Sequence, residues 1–117
     1  MKLRTDNFGH FDNPTEKNIR DAVTNSGEGE LVKLMSDNEN FLSIWVGQHS
    51  VGHILTLRTG EWKLDSAKKL PSELVVDLMI KYLHDDLSTL KEIQWTRPID
   101  KVLFDNISKL INLTNTR

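Results

Sequence analysis

Two histidines are the first side chains in this sequence whose spacing could support chemistry. His49 and His53 have the i, i+4 separation that binds a metal ion when both lie on one face of a helix. The residues between them are typical of a turn, and no third ligand stands at a recognised spacing. The chain has no cysteine, which excludes thiolate ligands and disulfides. The sequence therefore predicts two turn histidines and no metal, with a metal site as the alternative.

The glycine-flanked segment 47–52 resembles a phosphate-binding loop only superficially. It lacks the Lys-Ser/Thr pair that should follow, and it leads into a predicted strand rather than a helix. No serine stands in a Gly-x-Ser-x-Gly elbow. We therefore expect no catalytic residue and no cofactor. A small enzyme or small-molecule site near His49, His53 or Asp65 is the competing hypothesis.

Three tryptophans are the best candidates for contacts with a partner, because tryptophan is enriched at binding hot spots. Trp45 and Trp62 lie on predicted strands, and Trp95 lies near the last predicted strand. For each of them, a place in the core is the alternative. Trp45 shares its strand face with Phe41 and Ser43, opposite the more regular aliphatic face. If helices cover the aliphatic face, Trp45 is available to a partner.

Acidic residues in predicted turns are a second candidate surface. They cluster around four positions, Glu28, Glu30, Asp37 and Glu39. A solvated turn explains them, whereas the functional alternative is an acidic patch complementary to a basic partner. The residues predicted to bind a partner are Trp45, Trp62, His49, Gln48, Asp37, Glu39 and Glu61.

Composition limits the class of protein. The 117 residues, with 38% hydrophobic and 27% charged side chains, suit a single domain over residues 1–117. The net charge of −2 argues against binding nucleic acid by neutralising phosphates, and gives no reason to expect adhesion to a membrane. No apolar run reaches the length of a membrane span or a secretory signal. These features predict a soluble, cytoplasmic protein.

The elements that must position these side chains begin with a helix. Asn13 is the predicted N-cap, with Pro14 at the first helical position and Glu16 completing a capping box. Gly27 is expected to end this helix as a left-handed cap. Residues 1–12 are expected to be a short edge strand or an ordered arm.

Alternating apolar residues predict strands after this helix. One covers residues 30–36, three lie within 41–64, and a further short strand is predicted at 93–96. A strong amphipathic helix begins at residues 71–73, and a terminal helix is predicted from Asp100. The expected fold is α+β, with an antiparallel sheet of about four to five strands packed against two or three helices.

The order of these elements resembles that of small α+β immunity proteins from bacterial polymorphic-toxin and contact-dependent inhibition systems. The resemblance covers residues 13–95, and the segments that carry it are 13–16, 41–47, 61–64, 70–73 and 93–95. It implies a cytoplasmic antitoxin without enzymatic activity. Such a protein binds the C-terminal domain of its cognate toxin, often a nuclease or deaminase, and blocks its active site or another essential surface. The alternatives are a small-molecule-binding domain and a self-associating regulatory domain, such as a homodimer.

Overall fold

A computed structural model describes residues 1–96 of the chain. The helix that the sequence predicts from Asp100 lies outside the described residues. The strands are β1 (Lys2–Thr5), β2 (His10–Phe11), β3 (Leu31–Asp37), β4 (Asn40–Trp45), β5 (Ile54–Thr59) and β6 (Trp62–Asp65). The helices are α1 (Glu16–Asn25), α2 (Ser72–Leu83) and a 3₁₀ helix at Ser88–Glu92.

The described strands form one antiparallel sheet in the order β2-β1-β3-β4-β5-β6. This confirms the predicted α+β class, but the sheet has six strands rather than four to five. The additional strands come from residues 1–12. The short edge strand expected there is β2, whereas β1 is an inner strand that pairs with β2 on one side and β3 on the other. Its alternation of Leu3 and Thr5 with Lys2 and Arg4 gives it one buried face.

One face of the sheet, which we call the covered face, carries the aliphatic core. The pairing aligns five leucines across five strands: Leu3, Leu34, Leu42, Leu57 and Leu64. Each is at most 2% exposed. The two α-helices add their own apolar stripes to the same core: Ile19, Ala22 and Val23 from α1, and Val75, Leu78 and Met79 from α2. Burial of this apolar surface is the main favourable contribution to folding.

The ends of α1 differ from the prediction. Thr15, rather than Asn13, is the N-cap, and its hydroxyl accepts a hydrogen bond from the Asn18 amide at 3.1 Å. The Asn18 side chain accepts one from the Thr15 amide at 2.9 Å, so Asn18 takes the capping-box role predicted for Glu16. At the other end, the cap is Ser26 in an extended conformation, and Gly27 is not left-handed.

The last described segment closes one edge of the sheet. The strand predicted at 93–96 is reduced to a single bridge between Ser66 and Trp95. Trp95 is 8% exposed, and its indole N–H donates to the Leu90 carbonyl at 3.2 Å, so this tryptophan belongs to the core. Helix α2 begins as predicted, at Ser72. Among residues 1–96, no helix has the length and apolar character needed to cross a membrane.

Candidate functional site

The sheet face opposite the covered face, which we call the second face, carries an exposed tryptophan. Trp45 is 54% exposed because the alternation along β4 directs its neighbours Ile44 and Val46 into the core. It is paired with Leu31 on β3 and Ile54 on β5, both half-buried. An apolar row therefore crosses three strands at this end of the second face.

The remainder of the second face is rich in cationic side chains. One row runs Arg4, Lys33, Ser43, Thr56 and Asp65, and the next runs Lys2, Met35, Phe41, Arg58 and Lys63. The Lys33 ammonium lies 4.4 Å from the centroid of the Phe41 ring, a cation–π contact. Phe41 itself is only 8% exposed. Trp45 is thus the aromatic side chain of this face that a partner can reach.

Few of these cations are neutralised within the part of the chain that the structure describes. Arg4 pairs with Asp12 at 3.1 Å, and its hydrogen bond and charge lower the pKa of that carboxyl. Lys33, Arg58 and Lys63 form no ion pair with any residue among 1–96. The second face therefore has an unbalanced positive charge beside its apolar row.

A groove of about 450 Å³ runs along β1 and β3 on the second face. Its ionisable lining residues are Lys2, Arg4, Asp6, His10 and Lys33. Leu31, the cross-strand partner of Trp45, lines the same groove, so groove and tryptophan are continuous.

The residues predicted to bind a partner fall into two groups at opposite ends of the strands. Trp45, Gln48 and His49 lie at the end of β4 and in the β4–β5 loop, where Val51 is also exposed. Asp37, Glu39, Glu61 and Trp62 lie at the other end, where the Gly60 amide in the β5–β6 turn donates to the Glu39 carbonyl at 2.9 Å. The two groups lie at opposite ends of β4, whose six residues span roughly 17 Å.

The two exposed tryptophans lie on opposite faces of the sheet. Trp62 is paired with Thr59, whose side chain is buried on the covered face, so Trp62 lies at the margin of that face and is 42% exposed. A flat interface on the second face contains Trp45 and not Trp62.

The predicted acidic cluster is divided in the same way. Glu28 and Glu30 precede β3 near Val46, whereas Asp37 is the last residue of β3 and Glu39 follows it. The second group, with Glu61, is called the acidic end below. Burial raises the pKa of Asp37, but hydrogen bonds from Asn40 and the Glu39 amide outweigh it, and the net effect is a lowered pKa.

His49 and His53 meet in a hydrogen-bonded cluster that joins the β4–β5 loop to both helices. His53 is fully buried, and its Nδ1 accepts from the Gly47 amide at 3.0 Å while Nε2 lies 2.6 Å from the Ser72 hydroxyl. His49 Nδ1 lies 3.5 Å from that hydroxyl, and its Nε2 donates to the Ser26 carbonyl at 2.9 Å. Sequence reasoning found neither serine, because both are distant in the chain and no local pattern marks them.

The cluster determines the proton positions. A backbone N–H can only donate, so Nδ1 of His53 is the acceptor and the neutral ring carries its proton on Nε2. That proton is donated to Ser72, and His53 in this tautomer does not act as a base toward the hydroxyl. Burial, and secondarily the charge of His49, lowers the pKa of His53. Among the described residues, no group of three potential ligands could hold a metal ion.

Comparisons of the chain with family models, characterised proteins and solved structures give no match. The geometry of the sheet and its second face is therefore the basis for a functional proposal.

Proposed function

We propose that the protein is a cytoplasmic immunity protein that binds and neutralises a cognate toxin domain, one to one, through the second face around Trp45. The observation that supports this most directly is the exposure of Trp45 between half-buried Leu31 and Ile54. A large, rigid aromatic side chain in an apolar setting with cationic neighbours is the usual composition of an interface hot spot. The resemblance of the sequence to immunity proteins supports the choice of a toxin as partner.

Neutralisation by binding requires no chemistry from the antitoxin. A standard protein–protein interface buries about 800 Å² on each side, and we expect the second face and the β4–β5 loop to provide it together. Trp45 would be the central anchor, and Gln48 and His49 would lie at the rim beside it. The toxin is expected to be a nuclease or a deaminase, as the resemblance implies.

The proposal is tested by identifying the partner and then titrating its activity. Affinity capture from the native bacterium, followed by mass spectrometry, should retain one large toxin through its C-terminal domain. With both proteins purified, toxin activity should fall linearly and reach zero at one equivalent of the immunity protein. Inhibition at far below one equivalent would indicate catalytic inactivation and contradict the proposal. Failure of a purified, captured toxin to be inhibited would also contradict it.

A further inference from the structure

We infer that the partner docks on the second face through an acidic protein surface, an inference that rests on the proposed function. Lys33 and Arg58 are only half-buried, Lys63 is exposed, and none of them forms an ion pair with a residue among 1–96. A partner that covers these cations without supplying carboxylates would leave them desolvated and unpaired.

The carboxylates on the second face are too few and already engaged. Asp65 accepts a hydrogen bond from the Thr56 hydroxyl at 2.6 Å, and Asp12 pairs with Arg4. Asp6, which lines the groove, accepts a hydrogen bond from the Leu31 amide at 2.9 Å. All three are therefore poor partners for the remaining cations. Electrostatic complementarity favours a carboxylate-bearing partner over a neutral or basic one.

Several of these cations line one groove. Lys2, Arg4, His10 and Lys33 outnumber the one carboxylate, Asp6, in the lining of the groove. The groove extends from Leu31, beside Trp45, to Asn38 in the β3–β4 turn. An acidic side chain or turn of the partner can enter the groove while an apolar group covers Trp45. In this contact the protein supplies the cations and the partner supplies the carboxylates. The acidic patch considered from the sequence would require the opposite arrangement.

A protein surface fits these observations better than a nucleic acid. Binding to single strands relies on several aromatic side chains that stack successive bases. Among residues 1–96, Phe41 is 8% exposed beneath Lys33, and Trp45 is the one tryptophan, tyrosine or phenylalanine side chain exposed on this face. The net charge of the chain is −2, which does not favour binding by neutralising many phosphates. An acidic protein can instead contact the cations locally.

The test uses a defined acidic probe, a glutamate peptide of about eight residues, whose extended length of roughly 26 Å spans the six strands. Titration followed by amide chemical shifts should show changes at β3, β4 and β5 on the second face, and the affinity should fall as salt is added. In the K33E/K63E variant the affinity should fall about tenfold or more, since two attractions become repulsions. The control variant K68E/K69E makes the same change in net charge in the exposed loop before α2 and should retain the affinity.

Several results would overturn the inference. Equal binding of the peptide to both variants would show that the second face does not provide the site. Tighter, Trp45-dependent binding of an oligothymidylate of similar length would identify a nucleic acid as the occupant instead. A dimer detected by light scattering that dissociates in the K33E/K63E variant, but not in K68E/K69E, would identify a second copy of this chain as the occupant of the second face.

The acidic-partner inference and the proposed immunity function can be tested independently. If a purified captured toxin loses affinity for W45A but not for K33E/K63E, the acidic-partner inference fails and the immunity function stands. If the glutamate peptide binds as expected but toxin activity is not inhibited by a full equivalent, the immunity function fails and the acid-binding face stands.

Discussion

At the scale of single residues, two neighbours hold His53 in one neutral tautomer. The Gly47 amide donates to Nδ1, and Nε2 donates to Ser72, so a second ring proton would displace the backbone donor. The ring is fully buried, which also disfavours the charged form. His53 therefore links folding to pH.

We predict that the protein loses stability as the pH falls below the usual histidine pKa of 6.5, because the pKa of His53 is lowered in the folded state. Between the folded and unfolded pKa values the unfolded chain binds more protons, so the free energy of unfolding decreases with decreasing pH. Denaturant unfolding at pH values on both sides of 6.5 measures this. The dependence should be weaker in a His53→Gln variant.

If that variant does not fold, histidine resonances of the unchanged protein provide the same information. The His53 imidazole should titrate below 6.5, and a midpoint at or above this value would contradict the assigned hydrogen bonds.

The hydroxyl of Ser26 leads to a second prediction at this scale. Its Oγ is buried and finds no hydrogen-bond partner within the described part of the chain. Ser26→Ala should therefore keep or increase stability, with an expected gain of about 1 kcal/mol. Ser66→Ala is the matched control, because the equally buried Ser66 Oγ accepts from the Leu55 amide at 3.0 Å. The control should lose about 1–3 kcal/mol. Equal losses in both variants would contradict the assignment.

At the scale of elements, the β4–β5 loop is fixed to the start of α2 by a close backbone approach. The amides of His53 and Leu70 each donate to the other residue's carbonyl at 2.8 Å. Gly52 precedes this pair with φ of +124°, and a Cβ there would lie 2.7 Å from the Leu70 carbonyl oxygen. The position thus needs glycine for both its conformation and its space.

We predict that Gly52→Ala destabilises the protein by about 2 kcal/mol or more, because it combines backbone strain with a steric clash. Gly29→Ala is the control, since Gly29 also has a positive φ, of +85°, but no atom within 4 Å of the added Cβ. Thermal or denaturant unfolding of both variants measures the difference. If Gly29→Ala costs as much as Gly52→Ala, the close approach contributes nothing.

The elements also show which parts of the fold can be predicted from sequence. Regular alternation predicts β3 to β6, and the placement of Trp45 opposite Leu42 and Ile44 follows from it. The strands β1 and β2 are harder to predict because they are short and polar. Pairing with distant β3 stabilises β1, and pairing with β1 stabilises β2, rather than local propensity.

The site is less predictable than the fold for the same reason. Alternation gives the face of each tryptophan, but the packing of α1 and α2 decides which face is covered. The groove and the histidine cluster combine residues far apart in the chain, such as Lys2 with Lys33 and His53 with Ser72. These combinations depend on tertiary contacts that no local pattern encodes.

At the scale of the whole molecule, charge is distributed unevenly. In a chain whose net charge is only −2, the second face carries an excess of cations, and its outer row, with Arg58 and Lys63, borders the carboxylates of the acidic end. Such a distribution orients an approaching charged partner more than it adds affinity. Trp45, at the apolar margin of the cationic region, is then expected to supply most of the binding energy.

The most direct test of an interface centred on Trp45 is the affinity of the purified toxin domain for two tryptophan variants, measured by calorimetry with folding checked by circular dichroism. Trp45→Ala and Trp62→Ala remove similarly exposed indoles, 54% and 42%, from opposite faces. We expect Trp45→Ala to cost about 2 kcal/mol or more, roughly thirtyfold in Kd, and Trp62→Ala to change it little. Unchanged affinity in Trp45→Ala, with a loss in Trp62→Ala, would place the interface at the acidic end and contradict the account.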